Sequence, residues 1–396
     1  MFHHKEGHIA FDSISRRFSS DVLRIIKEIF GGESQSVLEA LTKPVGTYYV
    51  RCNTYKISPQ ELKGRLERKD LQVGQHPIIP EALGIRMEGR FDIPSADQKI
   101  VVDKRTAEAV LQGANVYAPG ILRCESIHPG DDLTIESELG DVIGTGKALM
   151  STNDVLTFRK GLAVRVDHHR FEGPRIRELI EFSEGLLYPQ SLPAMITSRI
   201  LDPQPGEIIV DMNCAPGGKI SHLSQLMQNS GKIFGFDRNK HKIDRTRRTL
   251  VHLGCANVIL SVQDTRYLHT DMPSLKADRT LIDPPCSALG LRPKVYDFTT
   301  QEVVNNLAEY QKQFLKAASN VTKHGGTIVY SVCTFTKQEG EQIVEYAERE
   351  CGLQVVEQKP LIGSKGLSEF GNSGLLCQRF HPHVNEIGFF IARFQR

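Results

Sequence analysis

The sequence lacks the features that would assign it to a membrane or to the secretory route. It has no N-terminal signal peptide and no apolar run long enough to cross a bilayer. Its eight cysteines follow no regular spacing, so they do not indicate a disulfide framework. We therefore expect a cytoplasmic protein with reduced thiols, in which a cysteine beside a ligand-binding turn is a candidate for chemistry.

An excess of basic charge and a complete set of metal ligands are also missing. The net charge is +2, so any nucleic-acid site must be a local basic patch. His3, His4 and His8 cluster near the N-terminus, but no cysteine or carboxylate set completes a metal site. We expect a frayed polar terminus there and no bound metal. The 396 residues allow two or three domains, and a monomer is favoured.

Residues 207–219, EIIVDMNCAPGGK, are the stretch around which the C-terminal half is organised. An apolar run ends at Asp211, a turn of small residues follows, and apolar residues then recur at helical spacing from Ile220 to Met227. A strand, a tight turn and a helix form the first unit of a doubly wound α/β domain, which binds ligands at the carboxyl ends of its strands. The turn glycines would let a ligand approach the backbone, although such turns also occur as plain loop closures.

Four predicted strands in this half each finish in an acid and alternate with helical segments. Because the carboxyl ends of parallel strands meet at one edge of a sheet, they indicate a single cleft lined by acids. Two further strands are predicted at residues 327–333 and 389–394, in the same sheet. The four acids are Asp211, Asp237, Asp264 and Asp283.

Residues 1–96 have the pattern of a small α/β extension. A helix is predicted over residues 21–30, with Asp21 as its cap and a Gly-Gly pair as its stop. A strand is predicted over residues 48–53. A second helix should begin after Ser58, where the following proline and Glu61 complete a capping box.

The next segment, residues 97–167, consists of short predicted strands and turns, which indicates a small β-barrel inserted in the chain. Residues 168–205 return to helix and turn, and we expect them to link this barrel to the main α/β domain. We assign residues 168–396 as a whole to that domain.

The ligand of the cleft can be narrowed from the strand ends. Asp237, at the end of the second strand, could accept hydrogen bonds from a ribose diol. The glycine turn is neither GxGxxG nor a Walker motif, so a nucleoside without pyrophosphate is favoured over a dinucleotide. S-adenosylmethionine fits, because it combines a ribose diol and an adenine with a sulfonium cation that suits a set of acids.

Two cysteines follow neighbouring predicted strands. Cys286 lies in DPPC just past one strand, and Cys333 lies in SVCT at the end of the next. Adjacent strands are about 4.8 Å apart, so both thiols would reach one cleft. A lone cysteine is usually buried and inert, but two beside a methyl donor favour nucleophilic catalysis. Carbon 5 of cytosine, a poor nucleophile, needs such help: a thiolate that adds at carbon 6 activates it.

The stretches DMNCAPGGK, DPPCSALG and YSVCTFTKQEGE resemble the Sun-type RNA cytosine-C5 methyltransferases. The inserted segment, with GANVYAPGI, GDDLTIES and IGTGKA, resembles a PUA domain, a small RNA-binding barrel. Together they are similar to the PUA-containing branch that methylates the acceptor end of tRNA. The resemblance implies a Rossmann-like methyltransferase domain that uses S-adenosylmethionine, with an N-terminal α/β extension and an inserted PUA-like barrel.

The resemblance also implies roles for individual residues. Cys333 would attack the base, and Cys286 would assist breakdown of the covalent adduct. Asp283 would contact the cytosine and the donor side of the site, and Lys219 would touch the base or stabilise charge. The residues implied to hold S-adenosylmethionine are Asn213, Cys214, Ala215, Pro216, Gly217, Gly218, Lys219, Asp237, Lys242, Asp264 and Asp283.

The sequence departs from the family pattern at three positions. Val332 precedes Cys333 where threonine is common, and Ala288 replaces the first glycine of the usual CSGxG. The glycine turn reads NCAPGGK from Asn213 onward, where CAAPGGK is usual. Every reactive group is kept, so these changes bear on substrate geometry and not on the reaction class.

Positive charge for RNA is concentrated in two places. Residues 238–248 form the densest basic run, which is either an RNA contact or a solvated helix face. Arg292 and Lys294 follow the DPPCSALG loop, and we expect them to meet phosphates beside the reacting base.

The expected reaction is the formation of 5-methylcytosine in tRNA through a cysteine–cytosine adduct. A ribosomal RNA substrate is the alternative of the same class, and a non-catalytic RNA-binding protein that keeps the fold is the alternative of another class. Retention of both cysteines and all four acids argues for the enzyme. A DNA amino-methyltransferase is disfavoured, because Cys286 stands where its base-stacking aromatic residue would be.

Overall fold

The structure is a computed structural model that describes residues 14–396, so the N-terminal histidine cluster lies outside the described residues. The helices are α1 (Ser20–Phe30), α2 (Ser34–Leu41), α3 (Pro59–Glu67), α4 (Lys104–Val110), α5 (Thr152–Phe158), α6 (Ile180–Ser183), α7 (Leu192–Leu201), α8 (Gly218–Leu226), α9 (Lys240–Leu253), α10 (Leu268–Asp271), α11 (Gln301–Val321), α12 (Glu341–Cys351) and α13 (Gly371–Leu375).

The strands fall into four sheets, described below in turn. They are β1 (Thr47–Cys52), β2 (Val73–Gln75), β3 (Ala82–Arg86), β4 (Glu88–Gly89), β5 (Gln98–Val102), β6 (Val116–Tyr117), β7 (Ile121–Cys124), β8 (Asp132–Ser137), β9 (Val142–Ala148), β10 (Leu162–His169), β11 (Phe171–Glu172), β12 (Leu187–Pro189), β13 (Ile208–Asp211), β14 (Lys232–Asp237), β15 (Val258–Val262), β16 (Ala277–Ile282), β17 (Thr322–Val332), β18 (Gln354–Val355), β19 (Ser364–Lys365), β20 (Gln378–Phe380) and β21 (Phe389–Gln395).

Both predicted helices of the extension form, but their first turns differ from the prediction. The cap of α1 is Ser19, whose hydroxyl accepts from the Val22 N–H, whereas Asp21 accepts from the Gln301 N–H at 2.9 Å and ties α1 to α11. Ser58 caps α3 as predicted. The Glu61 carboxylate pairs with Arg65 at 2.9 Å, one turn along the helix.

The sheet of the extension has the order β12-β1-β3-β2. Its strand β12 comes from residues 168–205, so the prediction of helix and turn alone for this segment is wrong. The strand has only three residues, and pairing with β1 is what makes it extended. Leu187 buries its side chain in the same apolar core as Val50, Leu62 and Leu83. The segment after the barrel therefore completes the fold of the segment before it.

The barrel is a six-stranded sheet of order β6-β10-β9-β8-β5-β7. Strand β10 continues to His169, two residues past the predicted boundary at residue 167. A short ribbon of β4 and β11 links the barrel to the extension. Val295 of the main α/β domain is buried in the core of the barrel, so the two units share apolar contacts.

The main sheet has the order β15-β14-β13-β16-β17-β21-β20-β19, with β18 also paired to β21. The first five strands are parallel, and β21 is antiparallel to β17. Apolar clusters lie on both faces of this sheet, which is why its strands are nearly continuous apolar runs. The predicted α/β class with an extension and an inserted barrel is confirmed. None of the helices among residues 14–396 is long and apolar enough to cross a membrane.

Candidate active site

A cavity of about 330 Å³ opens at the carboxyl edge of the parallel strands. Its wall contains the residues that follow β14, β15, β16 and β17, as expected from the strand order. Eight of the predicted site residues line it directly: Asn213, Ala215, Asp237, Lys242, Asp264, Asp283, Cys286 and Cys333.

The two thiols lie side by side in this wall. The Sγ atoms of Cys286 and Cys333 are 3.2 Å apart, because β16 and β17 are adjacent parallel strands. The hydrogen bond with Cys333, together with burial, raises the pKa of the Cys286 thiol well above its ordinary value. Cys286 therefore holds its proton while its sulfur contacts the other sulfur.

Asp283 and Lys219 form an ion pair beside the thiols. The Lys219 Nζ lies 2.5 Å from one Asp283 oxygen, and the Ser331 hydroxyl donates to the other oxygen at 3.1 Å. The Lys219 ammonium also lies over the Phe389 ring, 5.6 Å from its centroid. A cation is thus held at a fixed place next to the carboxylate that follows β16.

The glycine turn brings only part of its predicted set to the cavity. Among residues 14–396, the cavity wall does not include Cys214, Pro216, Gly217, Gly218 or Lys219. Cys214 is buried under the turn, and burial raises the pKa of its thiol. A Cβ atom on Gly218 would lie 3.1 Å from the Tyr188 ring, so the glycine allows the turn to pack closely on β12.

Asp211 does not line the cavity, which corrects the prediction of four acids in one cleft. Its carboxylate is 1% exposed and accepts from the Asn213 N–H at 3.1 Å. Burial raises the pKa of Asp211 to about 7. The Asp211 carboxylate at the end of β13 therefore stabilises the backbone of the glycine turn and does not face the cavity.

The extension holds the glycine turn in place. Arg51 of β1 is 1% exposed, and its guanidinium donates to the Gly218 carbonyl and the Ser221 hydroxyl, each at 2.7 Å. Burial lowers the pKa of Arg51 to about 10. The first turn of α8 is thus anchored from a different domain.

Two strand-end acids on the wall have different surroundings. One Asp237 oxygen accepts from the Asn239 N–H at 2.8 Å, and within residues 14–396 its second oxygen has no protein donor. Asp264 instead accepts from the Arg266 guanidinium, and these hydrogen bonds lower the pKa of Asp264. Asp237 is the acid with a carboxylate oxygen available for a ligand.

An aromatic wall was missed by sequence reasoning. Tyr310 and Phe314 lie on α11 and line the cavity, with their ring centroids 5.0 Å apart. The Arg266 guanidinium stacks over Tyr310 at 4.7 Å and so connects this wall to Asp264. Their four-residue spacing was visible, but nothing in the sequence placed α11 over the cleft. Arg238 and Gln263 were also missed, and each directly neighbours a strand-end acid.

A buried carboxylate behind the thiols was also missed, although it lies in the quoted YSVCTFTKQEGE stretch. Glu339 is fully buried and accepts from the Ser287 N–H at 2.9 Å and the Ser287 hydroxyl at 2.6 Å. It also accepts from Gln311 at 2.9 Å and from the Thr336 hydroxyl at 3.0 Å. The loops that carry Cys286 and Cys333 therefore meet at one carboxylate.

The two basic residues expected to meet phosphates beside the base serve the fold instead. Arg292 donates to four backbone carbonyls, those of Lys43, Pro44, Pro382 and Glu386. Lys294 is 6% exposed and pairs with Asp297 at 2.7 Å. That prediction is wrong for Arg292. Lys294 does not line the reaction cavity, and its ammonium is bound by Asp297 and the Ala288 carbonyl. In the run of residues 238–248, Lys242 faces the cavity, and the side chains of Arg247 and Arg248 are exposed.

The residues present fit S-adenosylmethionine. Asn213 lines the cavity, and its side-chain oxygen is buried with no hydrogen-bond partner among the described residues, so an amine or hydroxyl of a ligand could satisfy it. Asp237 offers its open carboxylate oxygen, and Phe314 and Tyr310 offer aromatic surface. No group of three or more metal-binding side chains occurs in the described part of the chain.

The sheet order and the ligand-binding edge define a Rossmann-like α/β domain. Residues 198–395 match the family described as 16S rRNA methyltransferase RsmB/F, and residues 98–170 match the PUA domain. The chain belongs to the RsmB/F family of S-adenosylmethionine-dependent methyltransferases and carries a PUA domain.

Individual relatives cover nearly the whole chain. A tRNA (cytosine(72)-C(5))-methyltransferase of Pyrococcus horikoshii is 37% identical over 96% of this chain and 97% of its own length. The mouse tRNA (cytosine(72)-C(5))-methyltransferase NSUN6 is 30% identical over 88% of this chain and 82% of its own. The crystal structure of NSun6 from Pyrococcus horikoshii with SFG, an analogue of S-adenosylmethionine, has a TM-score of 0.88 at 37% identity and covers 96% of this chain and 98% of that one.

Proposed function

We propose that the protein transfers the methyl group of S-adenosylmethionine to carbon 5 of a cytosine at the acceptor end of tRNA. The observation that carries the reaction class is the pair of thiols, 3.2 Å apart in the wall of the cleft. The choice of tRNA is supported by relatives that match along the barrel as well as the catalytic domain and whose names specify cytosine 72 of tRNA.

In the proposed reaction, S-adenosylmethionine would supply an electrophilic methyl group and would become S-adenosylhomocysteine as its methyl–sulfur bond breaks. The Cys333 thiolate bonds to carbon 6 of the cytosine, and the electron pair of the 5,6 double bond becomes available at carbon 5 for the new carbon–carbon bond. The carbon 5 proton is then lost, its electrons re-form the 5,6 double bond, and the bond between carbon 6 and sulfur breaks with its electron pair returning to Cys333. Cys286, which holds its proton beside that sulfur, assists this breakdown.

Lys219 and Asp283 are proposed to orient the base. Asp283 lies in the same wall as the thiols, and Lys219, although it is not a lining residue, holds its ammonium 2.5 Å from that carboxylate, where the pair can meet polar groups of the cytosine. The base must leave its stack to reach them, because an enzyme cannot reach the target atom of a base that is still stacked and paired in a duplex.

The donor is proposed to bind on the β13, β14 and β15 side of the cavity. Asn213, Ala215, Asp237, Lys242, Asp264 and Asp283 would contact it directly. Cys214, Pro216, Gly217 and Gly218 would act by shaping the turn. We also propose the division into an extension over residues 1–96, a PUA-like barrel over residues 97–167 and a catalytic domain over residues 168–396, with β10 continuing the barrel to His169 and β12 pairing back onto the extension. We further propose a cytoplasmic location in which both reactive thiols stay reduced.

Replacing Asp237 tests the donor site. Asp237→Ala should weaken S-adenosylmethionine binding by about 2 kcal/mol, since a hydrogen bond to a charged acceptor is lost. Calorimetric titration of the purified protein measures this. Asp244→Ala is the matched control, because that carboxylate lies on α9 outside the cavity wall. Equal affinities in the Asp237 variant and the unmodified protein would remove Asp237 from the site.

The function itself is tested by offering both classes of RNA. Wild-type protein with labelled S-adenosylmethionine should methylate total tRNA, and mapping should find 5-methylcytosine at the acceptor end. If labelled methyl groups entered ribosomal RNA and not tRNA, ribosomal RNA would be the substrate instead of tRNA. No incorporation into either, with intact donor binding, would contradict the proposed activity.

A further inference from the structure

A second cavity, of about 650 Å³, lies where the extension, the barrel and the catalytic domain meet. It is separate from the reaction cavity and shares no lining residue with it. Five basic side chains line it: Arg17, Lys43, Arg90, Arg170 and Lys294.

Two of these cations are neutralised inside the protein. Arg17 forms a two-fold ion pair with Asp141, at 2.6 and 2.7 Å. Lys294 pairs with Asp297 at 2.7 Å. These pairs build the wall and give both cations a carboxylate partner, although Asp297 also contacts Lys104 at 3.5 Å.

The other three cations have little compensation. Within residues 14–396, the Arg90 side chain has no hydrogen bond or ion pair, and the Arg170 guanidinium reaches only the Phe91 carbonyl, at 3.4 Å. Lys43 is 4.0 Å from Glu39. Partial burial and then the charge of Arg90 lower the pKa of Lys43, so these two cations repel each other. Asp92 faces the same space but does not balance three positive charges.

The backbone holds two of the three cations side by side. The N–H groups of Arg90 and Phe91 both donate to the Arg170 carbonyl at 3.0 Å. Arg90 has a φ of 77°, a left-handed conformation that is uncommon outside glycine and persists only where the surroundings impose it. The fold thus holds Arg90 and Arg170 in the same cavity as Lys43. A bound anion would reduce the repulsion between these cations.

One loop separates this cavity from the reaction cavity. Ala288 lines the reaction cavity, whereas Lys294 and Val295 line the second cavity. The Lys294 ammonium donates to the Ala288 carbonyl at 3.1 Å, which shows how thin the partition is. The second cavity is also lined by Val142 and Ile143 of the barrel, so it lies beside both the loop of the reaction cavity and the barrel.

We propose that Lys43, Arg90 and Arg170 bind backbone phosphates of the single-stranded RNA tail that leads from the reacting cytosine to the barrel. The inference rests on the proposed RNA substrate. Three cationic donors outnumber the single Asp92 carboxylate that faces them and suit phosphates, whose contacts fix the position of the strand and carry no sequence information. The site would set the distance between the barrel-bound tail and Cys333.

The test combines Lys43→Gln, Arg90→Gln and Arg170→Gln in the full-length protein. Affinity for tRNA should fall about tenfold or more, and the salt dependence of binding should become shallower by about one unit of slope per lost phosphate contact. Apparent KM for tRNA should rise, while kcat at saturating RNA and the affinity for S-adenosylmethionine stay unchanged. The matched control combines Lys27→Gln, Arg68→Gln and Arg349→Gln, which remove the same charges from exposed helix surfaces outside this cavity.

Removing the RNA tail provides the second arm. On tRNA trimmed of its single-stranded 3′ nucleotides, the triple variant and the wild type should bind alike. If the triple variant lost as much affinity, relative to wild type, on trimmed tRNA as on intact tRNA, the contacts would lie in the duplex and the proposal would be overturned. Binding of intact tRNA by the triple variant with wild-type affinity would also overturn it. Binding is measured without turnover, so a failure of the proposed function would appear separately, as absent methylation by the wild type.

Discussion

Cys333→Ala is expected to abolish methyl transfer and to leave no covalent protein–RNA species on a denaturing gel. Its thiol is the proposed nucleophile, and no other group in the cavity wall replaces it: Cys286 is the second thiol there, and its hydrogen bond and burial raise its pKa well above the ordinary value. Donor affinity should remain near wild type, because Cys333 lies at the β17 side of the cavity.

Cys286→Ala should give the opposite result on a denaturing gel, with a covalent protein–RNA species present. The nucleophile is still present, so the adduct forms, but the protonated thiol 3.2 Å from the reacting sulfur is lost and breakdown becomes slow. Turnover should fall by orders of magnitude while linked protein accumulates with RNA and S-adenosylmethionine. Cys351→Ala, a partly buried cysteine on α12 outside the cavity, should behave as wild type. Linked species in the Cys333 variant, and none in the Cys286 variant, would mean that the two roles are reversed.

The meeting of the thiols could be predicted because it depends on regular structure. Strands of a parallel sheet that is covered on both faces are apolar runs, and the residue after each run lies at the ligand edge. Asp237, Asp283, Cys286 and Cys333 each follow such a run, and the structure brings them to one cavity. The same reasoning failed for Asp211, because position at a strand end does not decide whether a side chain points into the cleft or below it.

Residues whose partners are far along the chain could not be placed from the sequence. Arg292 looks like a phosphate contact beside a catalytic loop, yet carbonyls from residues 43–44 and 382–386 use its donors. The strand β12 is extended only because β1 pairs with it. Tyr310 and Phe314 belong to the cavity only because α11 packs over it. Tertiary contacts, and not local propensity, decided all of these positions.

Glu339→Ala is expected to slow methyl transfer about a hundredfold or more without changing the affinity for S-adenosylmethionine. Glu339 joins the loop of Cys286, through Ser287, to the loop of Cys333, through Thr336, and Ser287 and Thr334 also share a hydrogen bond of 2.9 Å. A displacement of about 1 Å in a reacting group can cost a hundredfold in rate. The Ser287 N–H would lose its acceptor and the Gln311 amide would keep only the Pro285 carbonyl, and each lost hydrogen bond costs about 1–3 kcal/mol. Glu339→Gln should recover most of the rate, because the Ser287 and Thr336 hydroxyls can turn to accept from the new amide.

Glu341→Ala separates positioning from stability. Glu341 is equally buried two residues away, and it pairs with Arg379 instead of the thiol loops. The Glu341→Ala change should lower the melting temperature at least as much as Glu339→Ala does, because it leaves the buried Arg379 guanidinium without its carboxylate partner. At temperatures where both variants are folded, the Glu341→Ala protein should form the adduct at a rate near wild type, whereas the Glu339→Ala protein should form it slowly. Rates that follow the loss of stability equally in both variants would show that Glu339 only supports the fold, and that the spacing of the thiols does not depend on it.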